Sequence, residues 1–286
     1  VQLATTDSLV ENVHFTFESS SWQDLGHKSL AVNLSDIAAM GGRALYALVS
    51  LTCPGSVDSE AIVDFYRGMT RLATEHGVVI VGGNLSASPE VSANVFVVGE
   101  AISDSLLRRS SAHPGDLIVV TGTLGGAAAA VTALKDRAIA NIDIPQALMH
   151  ALLQPHPRLA EAQILVEEGV RCAIDISDGL VADLGHICEC SGASAVVHAS
   201  KVPINPPVHE VAPDPLGCAL YGGEDYELLF ACDAATHERV KSRLDCTTTV
   251  IGEITENQAG SQRVVVLDAQ GHELTPNHTG WKHFGK

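Results

Sequence analysis

Between positions 30 and 40 the chain reads Leu-Ala-Val-Asn-Leu-Ser-Asp-Ile-Ala-Ala-Met, apolar on nearly every side of a helix, with a carboxylate, Asp36, among the apolar residues. A helix that is apolar all round has no face for water and belongs inside the fold. A carboxylate buried with it costs several kcal/mol unless it meets a cation or several donors. Asn33 lies three residues earlier on the same face. Two partners answer the requirement: a lysine or arginine from elsewhere, or a metal ion. Asp and Glu number 34 against 17 Lys and Arg, which leaves the metal at least as strong a reading.

The same balance, a net charge of −17, argues against nucleic acid as a partner, since phosphate neutralisation needs clustered base. A hydrophobic fraction of 46% with 18% charged residues is globular. At 286 residues the chain makes one large or two medium domains, and a fold of this size buries roughly 75% of its unfolded surface without disulfides. The low-charge stretches, such as 117–134, are rich in Gly, Ala and Thr and broken by turn signals, so no membrane span is expected. Residues 1–7 do not read as a signal peptide. Seven cysteines, without a Cys-x-x-Cys, read as reduced buried thiols in a cytoplasmic protein. Thirteen histidines without His-Glu-x-x-His give a zinc hydrolase little support.

Hydrophobic spacing and turn signals predict alternating strands and helices in both halves, an α/β or α+β fold of mixed sheets packed with helices. Strands are expected over 1–6, 10–17, 44–52, 78–81 and 91–102, with helices over 22–40 and from Asp58, its N-cap, to Gly77. Val78 to Val81 is all apolar, as a strand buried on both faces should be. The polar stretch 103–116 marks a boundary between domains 1–113 and 114–286. Beyond it come strands near 117–121, 172–176, 194–199, 226–231, 248–254 and 263–268. Helices are expected from Gly125, over 145–153 and 158–168, and from about Gly179.

None of the 25 glycines stands in Gly-x-Gly, and neither Gly-x-x-x-x-Gly-Lys-Ser/Thr nor Gly-x-Ser-x-Gly occurs. The common nucleotide cradles and the nucleophile elbow are excluded as usually written. Four glycine pairs take their place, and two lead into polar residues: Gly82-Gly83-Asn84 and Gly222-Gly223-Glu224-Asp225. They are either turns or places where the backbone meets a ligand. Asp175-Ile176-Ser177-Asp178-Gly179 ends an apolar strand and opens a helix, where Asp178 could be the N-cap but Asp175 has no such excuse. Thr5-Thr6-Asp7 closes the first strand, with Glu11 and His14 following. Asp7, Asp36, Asp175, Asp178 and Glu224 are thus carboxylates at strand ends or in buried settings. Clustered carboxylates and hydroxyls suit hard cations, Mg²⁺ above all, and Mg²⁺ would let an acidic cleft receive a polyphosphate. Arg108 and Arg109 either contact that phosphate or form an exposed loop pair.

Four segments carry a resemblance: Thr-Thr-Asp-Ser-Leu-Val-Glu-Asn-Val-His-Phe (5–15), Ala-Val-Asn-Leu-Ser-Asp-Ile-Ala-Ala-Met-Gly (31–41), Asp-Ile-Ser-Asp-Gly-Leu (175–180) and Gly-Gly-Glu-Asp-Tyr-Glu-Leu (222–228). In content and order they resemble the signatures of the thiamine-monophosphate kinases, within the superfamily of aminoimidazole ribonucleotide synthetase. The resemblance extends to Trp281-Lys282-His283-Phe284. It implies the two-domain fold of that superfamily and Mg²⁺-assisted transfer of phosphate from ATP to thiamine phosphate, in a cytoplasmic homodimer built on the first domain. The family's metal positions fall on Thr5, Thr6, Asp7, Asp36, Asn84, Asp175 and Asp178. Its nucleotide contacts fall on Gly83, Arg109 and Ser177, and its thiamine phosphate contacts on His14, Glu224 and Trp281. Trp281 would meet the thiazolium cation through its ring face, or be a docked terminal residue. The resemblance makes Asp36, Asp175 and Arg109 the residues closest to the chemistry. Asn84 stands where many relatives have Asp, and the family's Gly-Asp-Asp segment would lie upstream of position 1. The competing readings are a related ATP-dependent small-molecule kinase or synthetase, and a non-catalytic paralogue that binds nucleotide or thiamine diphosphate.

Overall fold

A computed structural model describes residues 1–140, 143–257 and 263–274. The first unit runs β1 (Gln2–Val10), α1 (Trp22–Ala39), β2 (Arg43–Cys53), α2 (Ser59–Glu75), β3 (Val79–Ala87) and β4 (Ser92–Glu100). Its sheet has the order β1-β4-β2-β3, parallel between β2 and β3 and antiparallel elsewhere. Ser21 starts α1 with a capping box: its hydroxyl accepts from the Asp24 N–H, and the Asp24 carboxylate accepts from the Ser21 N–H. Asp58 caps α2 as its sequence predicts.

The second unit runs β5 (Leu117–Thr121), α3 (Gly126–Ala140), α4 (Gln146–Leu153), α5 (Leu159–Glu167), β6 (Cys172–Asp175), α6 (Leu180–Ser191) and β7 (Ala193–His198). It continues with α7 (Val208–Val211), α8 (Pro215–Tyr221), β8 (Leu228–Cys232), α9 (Ala234–Lys241), β9 (Thr248–Glu256) and β10 (Val264–Leu267). The sheet order is β10-β7-β9-β5-β8-β6, with β10 and β7 parallel and the other pairs antiparallel. Both sheets are therefore mixed.

Helix α1 explains its own composition. Leu30 through Ser35 and Ile37 through Ala39 are all buried, because α1 packs on β1, β2 and β4 on one side and meets α5 and β6 of the second unit on the other. One apolar core contains Leu30, Leu34 and Ile37 of α1, Val49 and Val95 of the first sheet, Leu165 of α5 and Phe230 of β8. The two units share that core. Helices α1 and α2 cross at contact distance through glycines: a Cβ on Gly26 would stand 1.8 Å from the Phe65 carbonyl oxygen, and one on Gly68 1.9 Å from that of Gln23. No larger residue fits either position without moving a helix.

Three local expectations are corrected. Residues 10–17 do not form a second strand: β1 ends at Val10, and turns follow from Asn12. Val78 to Val81 is not a strand buried on both faces. It opens β3, an edge strand that continues through both glycines to Ala87, with Val79, Val81 and Leu85 about half exposed. The apolar run is real, but nothing in the described chain covers it. Asp178 is not the N-cap of α6; Gly179 holds that position.

Candidate active site

The two units meet along one face of α1, and the acids that stand out in the sequence gather there. Thr5, Asp7 and Leu9 alternate on β1 toward α1, and Thr6 and Ser8 turn the other way. The Thr5 hydroxyl donates to Asp36 Oδ2. Burial raises the Asp36 pKa, against the pull of hydrogen bonds from Thr5 and Asp7 and the charge of Arg109.

Across the junction, Asp175 ends β6 with 5% of its surface exposed. The Ser35 hydroxyl, next to Asp36 in α1, donates to Asp175 Oδ2 at 2.7 Å. Burial, and then the Asp36 charge, push the Asp175 carboxyl up to about 7. The phenol of Tyr226 is raised too, first by burial and then by Glu224, Asp7, Asp175 and Asp36. Carboxylates from both units thus face one volume with too few donors for their charge.

The loops that carry these residues are held by acids of a different kind. Asp183 Oδ2 accepts three backbone N–H groups, from Ser177, Asp178 and Gly179, at 3.0 to 3.1 Å. Burial still raises its pKa to about 7. The half-buried Asp225 accepts from the Gly125 N–H with both oxygens, at 2.9 and 3.0 Å. Glu227 receives Arg158 in a two-pronged contact at 2.7 and 2.6 Å and the Thr121 hydroxyl at 2.6 Å. On either side of Asp225 the chain bends through a left-handed residue, Glu224 (φ 70°) before it and Tyr226 (φ 51°) after it. The Glu224 and Tyr226 N–H groups donate to Ser177 and Ile176 carbonyls at 2.9 Å, which lashes this bend to the Asp175 loop.

Of the residues expected at the site, the structure brings together Thr5, Asp7, Asp36, Arg109 and Asp175, with Ser177 and Asp178 on the adjoining loop. Arg109 is exposed, and Ser191 donates to its carbonyl. Glu224 forms an ion pair at 2.8 Å with Lys28 of α1. His14 lies in the turn after β1, its Nδ1 accepting from the Val10 N–H at 3.1 Å. Thr6 Oγ1 donates to the Val95 carbonyl on the far face, so Thr6 can offer the acid cluster only its backbone. Asn84 pairs in register with Ser50, which pairs with Asn94 and so with Ser8, placing the Asn84 side chain on that same outer face. Gly83 takes the neighbouring position, where a Cβ would stand 1.8 Å from the Val49 carbonyl oxygen. Trp281 lies outside the described residues.

Sequence reasoning passed over Lys28, Ser35, Asp183, Asp225 and the Glu227–Arg158 pair. Lys28 carried the same signal as Asp36, a charge inside a helix that buries every side, and starts two turns before it. Ser35 sits beside Asp36 without a charge to draw notice, and nothing local shows that Asp183 turns back onto its own helix start.

The donors facing the cleft are all oxygen, with more negative charge than the neighbouring hydroxyls and Arg109 offset. That set fits Mg²⁺ and does not suit a thiophilic metal. Asp178, Asp183 and His186 also bring ligand atoms within 4.8 Å of one another, but Asp183 Oδ2 is committed to three N–H groups.

Two family models match in sequence order: the N-terminal domain of AIR synthase related proteins over residues 1–101 and the C-terminal domain over 113–265. The thiamine-monophosphate kinase of Aquifex aeolicus is 33% identical over 99% of this chain and 88% of its own length. Among solved structures, the thiamine-monophosphate kinase of Stenotrophomonas maltophilia is 36% identical, with a TM-score of 0.85 over 93% of this chain and 85% of that one. A structure of AaThiL complexed with AMPPCP and TMP is 33% identical, with a TM-score of 0.86 over 99% of this chain and 87% of that one. With four signature segments in place, both domains matched and the acids of both gathered at their junction, the chain belongs to the thiamine-monophosphate kinase family within the AIR synthase related proteins.

Proposed function

We propose that the protein transfers the γ-phosphoryl group of ATP to thiamine monophosphate, giving thiamine diphosphate and ADP. The observation that carries this reading is the cleft in which Asp36 of one unit and Asp175 of the other face each other, underpaired, in a fold whose relative AaThiL was solved with AMPPCP and TMP.

The acceptor phosphate is already largely ionised at neutral pH, its second pKa being near 6. It needs no strong base, and no protein nucleophile is called for. One of its oxygens attacks the γ-phosphorus in line; the new P–O bond forms as the bond to the bridging oxygen breaks, and ADP leaves with the electron pair. The work left to the protein is alignment and charge neutralisation. Asp36, Asp175, Asp7, Asp178 and Thr5 would hold Mg²⁺, with Thr6 contributing through its backbone; Asn84, the remaining expected metal position, has its side chain on the opposite face of the sheet and is left out of this set. When bound, Mg²⁺ would supply positive charge to the phosphate oxygens. Arg109, Gly83 and Ser177 are assigned to the nucleotide, and His14, Glu224 and Trp281 to thiamine phosphate.

The outer face of the first sheet supports a homodimer. Tyr46, Leu48 and Phe96 are 49%, 44% and 38% exposed there, beside the half-exposed edge strand β3. A contiguous apolar sheet face of this kind is an association surface, and a second copy would cover it. Free cysteines throughout the described chain support a reducing, cytoplasmic location. No described helix is long and apolar enough to cross a membrane.

Incubation of the protein with ATP and thiamine monophosphate, with and without Mg²⁺, tests the assignment. Equimolar, Mg²⁺-dependent thiamine diphosphate and ADP are expected; ADP alone, or no turnover, would overturn it.

A further inference from the structure

Lys28 is a charged residue inside the buried helix α1, its side chain 4% exposed. An ammonium at that depth is stable only when paired. Its partner is not one of the acids beside it in the first unit but Glu224 of the second, at 2.8 Å. Glu224 sits in the left-handed bend, a backbone state that a non-glycine residue keeps only when its surroundings hold it. The bend's backbone is held by the Ser177 and Ile176 carbonyls and, through the Asp225 side chain, by Gly125. Those bonds fix the main chain and leave the Glu224 carboxylate to be aimed by something else. The Lys28 ammonium meets Oε1 at 2.8 Å, and the Glu224 side chain keeps 28% of its surface exposed, within reach of a ligand. Lys28 and Ser35 are seven residues apart, two helical turns, so the face of α1 that aims Glu224 is the face that bonds Asp175.

We propose that Lys28 is a positioning residue for the acceptor. By holding Glu224 across the junction, it sets the thiamine phosphate subsite and leaves the ATP subsite alone. This rests on the function proposed above, with Glu224 as an acceptor contact.

A double-mutant cycle on Lys28→Met and Glu224→Gln, with KM measured separately for thiamine monophosphate and ATP, tests it. Met keeps the length and packing of the lysine stem. Lys28→Met is expected to raise KM for thiamine monophosphate about tenfold or more, as loss of one member of a buried charge pair does, with KM for ATP unchanged within about twofold. If Lys28 acts through Glu224, the double variant has the same acceptor KM as Glu224→Gln alone, because the second change removes nothing further. Should Lys28→Met fail to fold with its unpaired carboxylate, the double variant lacks that burden, and its comparison with Glu224→Gln decides the matter alone. Multiplying effects on the acceptor KM, or an equal rise in both KM values, would overturn the inference while leaving the kinase reading intact. A wild-type protein without thiamine diphosphate synthesis would remove both.

Discussion

The acids at and around the junction fall into two groups that look alike in the sequence and behave oppositely in the fold. Asp36 and Asp175 face the junction between units, and their partners are single hydroxyls, other acids and the charge of an exposed arginine. Asp183, Asp225 and Glu227 lie a few residues away and are committed to the protein: three N–H groups for one, the start of α3 for the second, a two-pronged arginine and a hydroxyl for the third. Burial raises the carboxyl pKa of Asp36 and Asp175 and equally of Asp183 and Asp225, so the shift alone does not separate the groups. What separates them is where the donors come from. A carboxylate with its donors inside the chain is structural; one with few donors inside it is open to a partner from outside the chain.

The largest effect that can break this division is on turnover. Asp36→Asn and Asp175→Asn are each expected to lower kcat at least about 10²-fold, as loss of a group acting on transition-state charge does, without lowering the thermal midpoint. Near-normal turnover by either folded variant would erase the division. Asp183→Ala should do the reverse in the first instance. It strands three N–H groups and destabilises by about 1–3 kcal/mol for each left unsatisfied, readable by urea unfolding, whereas Asp183→Asn keeps an acceptor oxygen and loses less. A stable Asp183→Ala would move Asp183 into the other group.

The division is sharpened by pH. The Asp175 carboxyl titrates at about 7 in the folded chain against an ordinary 3.8. Between those values the folded state holds a proton that the unfolded chain has released, so this group's contribution to stability falls as pH rises toward 7 and then levels off. Without metal, wild type should therefore lose more of its thermal midpoint between pH 5 and pH 8 than Asp175→Asn does, and Mg²⁺ should restore the loss at pH 8. Equal pH dependence in the two proteins would show that Asp175 is not the source. The smallest effect belongs at the surface, where the exposed Arg243 pairs with the exposed Glu167 and the partly exposed Glu168. Arg243→Ala is expected to leave both turnover and the unfolding midpoint unchanged, since such pairs are screened.

Much of this was legible from the residues. An all-apolar segment with Asp36 inside it announced a buried helix and a carboxylate in need of partners, because burial and charge conflict wherever they meet. The Asp175 loop was readable for the same reason. Lys28 was missed, although it breaks the same rule, because its pairing runs across the domain junction and no local pattern encodes that. The β3 strand was misread on the apolar side: Val79 and Val81 read as buried in the sequence but are about half exposed, because β3 lies at the edge of the sheet. Asp183 escaped notice because a carboxylate at a helix start is ordinary in sequence; only the fold shows that it holds the Asp175 loop in place.

The shared core built around α1 also limits how the gene for such an enzyme can be recombined. The stretch near residues 101–113, between the two matched domains, looks like a natural crossover point. Yet a chimera joined there would inherit Lys28 and Ser35 from one parent and Glu224 and Asp175 from the other, along with mismatched halves of one apolar interior. The two domains of this chain are separate in sequence but must be inherited together, and drift on one side of the junction constrains what the other side can become.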